Sequence, residues 1–343
     1  MSPLHRPNVA FAVALAGVLV VTACQQSSPG GRSGSTTTTE AQPASGFTNP
    51  VWGSNFPDPQ IVKGPGGYVA MATNGNGMNV QTLTSDDLVD WTQGQDALPE
   101  LPAWTSPGKV WAPEAARIAD RWVMYYTTKA PDPEIQCIGV AVAAQPEGPY
   151  RDTSAGPLVC EEEQGGSIDA SPFVAKDGRA YLYWKNDGNA IGVDTWISVQ
   201  QLGPDGTTLV GRPQRLLKQD QPWEGQLVEA PSLWERDGVV HLFYSANDYG
   251  SDRYAVGHAT APSPLGPFTK EPEPVLVSSE VAAGPGHNSL VEKDGRLWMV
   301  YHAWAPDAVG SEVPGRTMWL SEVTFDGAKV RVQPPTTNVD TRP

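Results

Sequence analysis

Five segments of the chain share one pattern: an apolar strand, a Gly or Asp turn, then a second strand rich in aromatics. A repeat of this kind constrains the fold more tightly than any other property of the sequence. The segments are residues 61–73, 117–128, 173–186, 233–246 and 290–303, with turns at Gly66-Gly67, Ala119-Asp120, Asp177-Gly178, Asp237-Gly238 and Asp294-Gly295. Asp-Gly between alternating apolar runs is a strong hairpin signal. With Gly67, Asp120, Gly178, Gly238 and Gly295 as anchors the spacings are 53, 58, 60 and 57 residues, enough for four short strands per unit. A third strand is expected after each hairpin, at residues 78–84, 138–143, 196–202, 254–260 and 317–323, and Gly148-Pro149-Tyr150 and Gly266-Pro267-Phe268 mark matching outer turns in units two and four. Units of this size repeated four to eight times are blades of a β-propeller. The expectation is an all-β, five-bladed β-propeller over residues 47–343 with no second domain. A sandwich has no such period, and solenoid coils are shorter. Composition agrees, since 35 Gly and 33 Pro supply turns while 12 Trp and 10 Tyr favour strands.

Residues 1–23 read as an export signal, with Arg6 in a basic start, an apolar run from Val9 to Val21 and small residues before Cys24. The run is too short to span a bilayer. Val21-Thr22-Ala23-Cys24 resembles a bacterial lipobox, in which Cys24 is lipidated and becomes the mature N-terminus; ordinary secretory cleavage is the alternative. Residues 24–46 are Ser, Thr, Gly, Pro and Gln with almost no apolar side chain, so burial cannot offset their ordering entropy, and they form a flexible linker. The expected product is a monomer facing outside, either tethered to the membrane through a lipid or secreted. Cys137 and Cys160 remain, and an even pair in an oxidising compartment favours a disulfide over a metal site or a catalytic thiol. The formal net charge of −15 disfavours nucleic acid and anionic lipid as partners and leaves neutral sugars open.

Counting nine residues back from each anchor gives Asp58, Trp111, Asp169, Glu229 and Gly286. Three of the five are acidic. In a propeller the first strand of each blade lines the central channel, so equivalent positions near its start ring one mouth and bring sequence-distant carboxylates together. Solvated strand ends, or a structural cation bound through oxygen, are the bland readings of a single acid; three acids at one repeat position point to catalysis. Cleavage of a glycosidic bond needs one protonated acid to assist the leaving oxygen and an ionised partner to activate water or attack carbon. A third carboxylate would keep the acid protonated by like-charge repulsion.

At Phe56-Pro57-Asp58-Pro59, Trp111-Ala112-Pro113-Glu114, Ile168-Asp169-Ala170-Ser171-Pro172-Phe173, Val228-Glu229-Ala230-Pro231 and Gly284-Pro285-Gly286-His287-Asn288-Ser289 the chain resembles glycoside hydrolase family 43. Members are five-bladed propellers acting mainly on arabinofuranosides and xylosides. The resemblance implies Asp58 as general base, Glu229 as general acid and Asp169 as the group that orients and tunes Glu229. It also implies inversion, with base and acid roughly 6.5–9.5 Å apart to admit a water. By the same likeness Arg316 would hydrogen-bond the sugar, and His287 would meet a calcium ion or waters in the channel, a hydrogen-bonded structural His being the alternative. No cofactor is implied for the chemistry. Ala170 stands where members often carry Pro, and Glu114, three residues beyond the ring position, is read as structural. Trp52, Trp111, Trp184, Trp223 and Trp304 are candidate sugar platforms, because an aromatic face suits the C–H side of a sugar ring; Trp111 and Trp223 are favoured. The expected substrate is an arabinofuranosyl or xylosyl polysaccharide, arabinofuranosidase ahead of xylosidase. The alternatives are a galactofuranosidase acting on envelope glycans and a carbohydrate-binding propeller without catalysis.

Overall fold

Second strands such as Tyr-Leu-Tyr-Trp-Lys-Asn are apolar almost without interruption, which is the pattern of a strand covered on both faces. The computed structural model, which describes residues 46–327 and 329–343, shows why. After a short β1 (Gly46–Phe47), blade one comprises β2 (Gln60–Gly64), β3 (Gly67–Ala72), β4 (Gln81–Ser85) and β5 (Thr92–Gln93). Blade two comprises β6 (Trp111–Ile118), β7 (Arg121–Lys129) and β8 (Gln136–Ala143). Blade three is β9 (Ser167–Val174), β10 (Ala180–Asn186), β11 (Trp196–Leu202) and β12 (Leu209–Lys218). Blade four is β13 (Val228–Arg236), β14 (Val239–Ala246), β15 (Ala255–Ala261) and β16 (Thr269–Lys270), and blade five is β17 (Ala283–Lys293), β18 (Arg296–Trp304), β19 (Thr317–Asp326) and β20 (Lys329–Val332). A terminal β21 (Asp340–Thr341) follows. Within each blade the strands pair in chain order and antiparallel.

Each first strand contacts the first strand of the next blade, and β17 returns to β2, so the ring closes as a five-bladed β-propeller. Every gap between blades is filled by its own apolar cluster. Met71 of blade one packs with Met124 and Tyr126 of blade two, for example, and Tyr183 of blade three with Leu242 and Tyr244 of blade four. The remaining three gaps are filled in the same way. Second strands lie between two such clusters, which accounts for their unbroken apolar runs. The outermost β12 faces water along most of its length and is correspondingly polar.

Blade two departs from the expected four strands. Its sheet has three, and Arg151 makes only an isolated bridge to Val142, directly after Gly148-Pro149-Tyr150. Pro149 has no N–H to give to a ladder. The ring is tied shut from the N-terminal side: Trp52 bridges Met318, the Asn49 amide brackets the Leu320 backbone at 2.8 Å in both directions, and β1 pairs with β21. The signal, Cys24 and nearly all of the linker lie outside the described residues.

Candidate active site

Each first strand enters its blade through a β-bulge. Trp111 pairs with Thr127 and Glu114 with Tyr125, leaving Ala112 and Pro113 opposite a single residue. The pairs Ile168–Lys185 and Ser171–Tyr183, Glu229–Ser245 and Ser232–Phe243, and Gly286–His302 and Ser289–Val300 repeat that arrangement. In blade one the Thr73 amide donates to the Pro57 carbonyl and Gln60 pairs with Met71, so Asp58 and Pro59 form the bulge. The first bulge residue takes a left-handed conformation in every blade, with φ of 57° at Asp58, 42° at Ala112, 56° at Asp169, 52° at Ala230 and 46° at His287. A bulge re-aims side chains at a strand end, which is why bulges cluster beside active sites.

This register corrects the count made from the sequence. Asp58 and Asp169 are bulge residues, whereas Glu229 stands one residue before its bulge, level with Trp111 and Gly286. The hairpins are the cause. Blades two, four and five turn in two residues, between Ile118 and Arg121, Arg236 and Val239, and Lys293 and Arg296, with the anchor as second turn residue. In blade one Gly64 pairs with Gly67, so the anchor lies past the turn; in blade three the turn is longer, the Ala175 amide reaching the Arg179 carbonyl. Nine residues back therefore lands one position later in blades one and three.

Bulge amides cannot join a regular ladder, and the preceding blade satisfies them. Asp58 N donates to His302 Nδ1 at 3.1 Å, Ala112 N to Thr73 Oγ1 at 2.8 Å, Asp169 N to Thr127 Oγ1 at 3.1 Å and His287 N to Ser245 Oγ at 2.8 Å. The four acceptors occupy one repeat position in the second strand. Its fifth occupant is Lys185, an ammonium with donors and no acceptor. The Ala230 amide turns instead to Asp169 Oδ2 at 3.0 Å.

Asp58, Asp169 and Glu229 line a single cavity of about 910 Å³, together with Trp111, Lys185, Asp187, Tyr249, Tyr254, His287 and Arg316. Asp58 Oδ1 accepts from Arg316 Nη1 at 2.7 Å and faces His287 Nδ1 at 3.4 Å, and Oδ2 accepts from Thr73 Oγ1 at 2.5 Å. Burial alone would raise its pKa, but the Arg316 guanidinium and then His287 outweigh it and hold the carboxyl well below the usual range. His302, buried and beside Arg316, is pushed down to about 3. It is therefore a neutral ring whose Nδ1 lone pair takes the Asp58 amide. Asp169 is pushed the other way, up to about 6, by burial first and by repulsion from Glu229 and Asp58, against the attraction of His287 and Lys185. Glu229 Oε1 accepts from the Tyr254 hydroxyl at 2.7 Å and Oε2 from Lys185 Nζ at 3.1 Å. Asp187 lies 3.7 Å from the same ammonium. Burial would discharge Lys185, but the fields of Glu229, Asp169 and Asp187 raise its pKa. One cavity thus holds an ionised carboxylate, a proton-retaining carboxyl and a third acid clamped between a cation and a phenol.

Other expected residues separate. Trp111 is half-buried on the cavity wall, and the Arg316 head group stands over the Tyr249 ring with its carbon 4.8 Å from the centroid. Trp223 is not among the lining residues; it stacks on Tyr244 at 6.0 Å and donates to Gln221, packing the blade rather than offering a face to the cavity. Trp184 and Trp304 are buried in packing, their indole N–H groups held by Glu161 and by the Tyr249 carbonyl. Glu114, pushed up to about 8 by burial and by Asp169 against a hydrogen bond from Ser171, is a neutral acid in the wall beneath the site. Cys137 and Cys160 are joined as a disulfide.

The residues around His287 would give a calcium ion few of its six to eight oxygen ligands, most of which would have to be water: the acid facing His287 holds the Arg316 cation, and Asn288 offers one buried amide oxygen without a partner. Among the described residues no three His, Cys, Asp or Glu side chains form a metal-holding group. Sequence reasoning also missed Lys185, Tyr254 and Tyr249. The signal for Lys185 was present: a charged residue where the other second strands carry Thr, Thr, Ser and His.

A family model described as "Glycosyl hydrolases family 43" matches residues 47–328. A β-D-galactofuranosidase of Aspergillus niger is 30% identical over 74% of this chain and 75% of its own length. An extracellular exo-α-(1→5)-L-arabinofuranosidase of Streptomyces chartreusis is 32% identical over 57% of this chain, which spans 62% of that protein. Among solved structures, a thermostable family-43 glycoside hydrolase superposes with a TM-score of 0.78 at 31% identity, covering 85% of this chain and 97% of that one.

Proposed function

The chain belongs to glycosyl hydrolases family 43, and from that premise we propose an inverting glycosidase that releases arabinofuranosyl or xylosyl units from polysaccharides, arabinofuranosidase ahead of xylosidase. Asp58 is the general base, Glu229 the general acid, and Asp169 orients Glu229 through the amide of the next residue. The observation that carries this reading is geometric: Asp58, Asp169 and Glu229 line one cavity, with Arg316 on Asp58, Lys185 and Tyr254 on Glu229, and Asp169 on the amide of the residue after Glu229.

In the reaction Glu229 gives its proton to the glycosidic oxygen as the C–O bond breaks and the bond's electron pair leaves with that oxygen. A water attacks the anomeric carbon from the opposite face and passes its proton to Asp58. Arg316 and Trp111 bind the sugar, Arg316 also keeping Asp58 ionised. The chemistry needs no cofactor. The protein is exported and either held outside the membrane through Cys24 or secreted, as the leader sequence supports.

A galactofuranosidase is the second reading, favoured by the Aspergillus relative. The deciding test is a chromogenic screen on 4-nitrophenyl α-L-arabinofuranoside, β-D-xyloside and β-D-galactofuranoside with Asp58→Asn as control, since loss of the base is felt whatever the leaving group. Turnover of the arabinofuranoside that is lost in Asp58→Asn supports the proposal. Preference for the galactofuranoside selects the second reading, and activity undiminished in Asp58→Asn overturns the site.

A further inference from the structure

In four blades the residue opposite the one that precedes the bulge shares one task. Thr73, Thr127, Ser245 and His302 each accept the bulge amide of the next blade. Lys185 occupies that position in blade three, is 1% exposed, and cannot accept. Burying an ammonium is costly unless it is paired. A residue that abandons the structural task of its position and brings a buried charge should have another role, and its direction shows which. Its Nζ, from β10 in blade three, lies 3.1 Å from Glu229 Oε2 of blade four, while Tyr254 from the β14–β15 connection takes the other oxygen at 2.7 Å. The vacated amide, that of Ala230, is taken up by Asp169. A lysine at this position thus goes with a different partner for the Ala230 amide and sets an ammonium on Glu229.

We propose that Lys185 is a positioning residue that sets the acid strength of Glu229, stabilising the carboxylate left when the proton passes to the departing sugar oxygen. The inference rests on the assignment of Glu229 as the acid. As the glycosidic C–O bond breaks, the proton moves to the leaving oxygen and the new carboxylate meets an ammonium already in place. Such a contact gains strength as negative charge develops, so it lowers the barrier rather than merely tightening binding. The other titratable groups that interact with Glu229 are Asp169 from β9, Asp187 just after β10, and Tyr254. Asp169 and Asp187 oppose Lys185 by disfavouring a further negative charge; Tyr254, hydrogen-bonded to Oε1, fixes the carboxyl plane.

Leaving-group dependence separates this role from a structural one. A sugar or methoxide leaving group needs a proton; 4-nitrophenoxide hardly does. Lys185→Thr restores the acceptor that other blades carry, so the fold should hold, and Lys185→Arg keeps the cation. The 4-nitrophenyl and methyl glycosides of the sugar that the wild type hydrolyses are compared across both variants and Glu229→Gln. Lys185→Thr should lose roughly 10- to 100-fold in kcat on the methyl glycoside, a fraction of the roughly 10²–10⁴-fold that general acid catalysis contributes, and only a few-fold on the 4-nitrophenyl glycoside. The alkaline limb of its kcat/KM profile should move to higher pH, and Lys185→Arg should recover most of both effects. Equal losses on both substrates with an unmoved limb, or no recovery in Lys185→Arg, would overturn the proposal. If Glu229→Gln shows no leaving-group dependence either, the assignment of the acid fails; if it does and Lys185→Thr does not, only the role of Lys185 fails.

Discussion

Asp58 and Asp169 share a bulge position and a left-handed backbone, yet their surroundings drive them apart. Arg316 and two histidine rings face Asp58, while Asp169 meets two other carboxylates in a buried wall. Asp58→Asn keeps a carbonyl oxygen for Thr73 but cannot take a proton from water. It should lower kcat by roughly 10²–10⁴-fold, as loss of a general base does, and circular dichroism should show the fold retained. Asp169 carries a stability consequence whose sign follows from its raised pKa. The folded state binds this proton more tightly than the unfolded state, so the group opposes folding increasingly as pH rises from about 4 through about 6, and fully above that. Asp169→Asn should therefore be more stable than wild type in urea at pH 7.5, by up to about 3 kcal/mol for a shift of this size, with the difference vanishing near pH 4. Activity should fall at both values.

The elements were largely legible in the sequence, because Asp-Gly turns and buried aromatic strands are local signals. The third strand of blade three was read at 196–202 and stands there, and the Asp-Gly hairpins of blades four and five turn where expected. The bulges were not legible. Nothing in Pro57-Asp58 or Val228-Glu229 says which residue goes unpaired, since that is settled by the ladder across the hairpin, and so Glu229 was set one position out of register. Trp223 was misread for a related reason: a loop position near an acid does not say which way an indole turns, and packing against Tyr244 took it. The bulges also yield a test away from the reacting groups. Thr127 is fully buried and its hydroxyl accepts the Asp169 amide. Thr127→Val should cost about 1–3 kcal/mol, the range for a buried donor left unsatisfied, measurable as a lowered urea midpoint at unchanged m.

At the scale of the whole molecule, five similar blades are made into one enzyme by unlike residues at like positions. In the proposed mechanism blade one supplies the base, blade three the tuning acid and the lysine, blade four the general acid, and blade five Arg316 and His287. Ring closure keeps these parts in register, and its fastening by Asn49 and Trp52 onto β19 was hidden from a sequence read blade by blade, since the partners lie 271 residues apart in the case of Asn49 and Leu320. The disulfide adds a second tie in blade two. It closes a separation of 23 residues, so replacing both cysteines by Ala should lower stability by about 3 kcal/mol on loop-closure grounds, with kcat little changed. The central claim is that an ionised Asp58 activates water against a sugar whose leaving group Glu229 protonates. Proton NMR of the sugar released in the first minutes, before mutarotation, tests it most directly: from an α-L-arabinofuranoside the β-anomer should appear first. An α-anomer as first product would mean a covalent intermediate and would contradict the account.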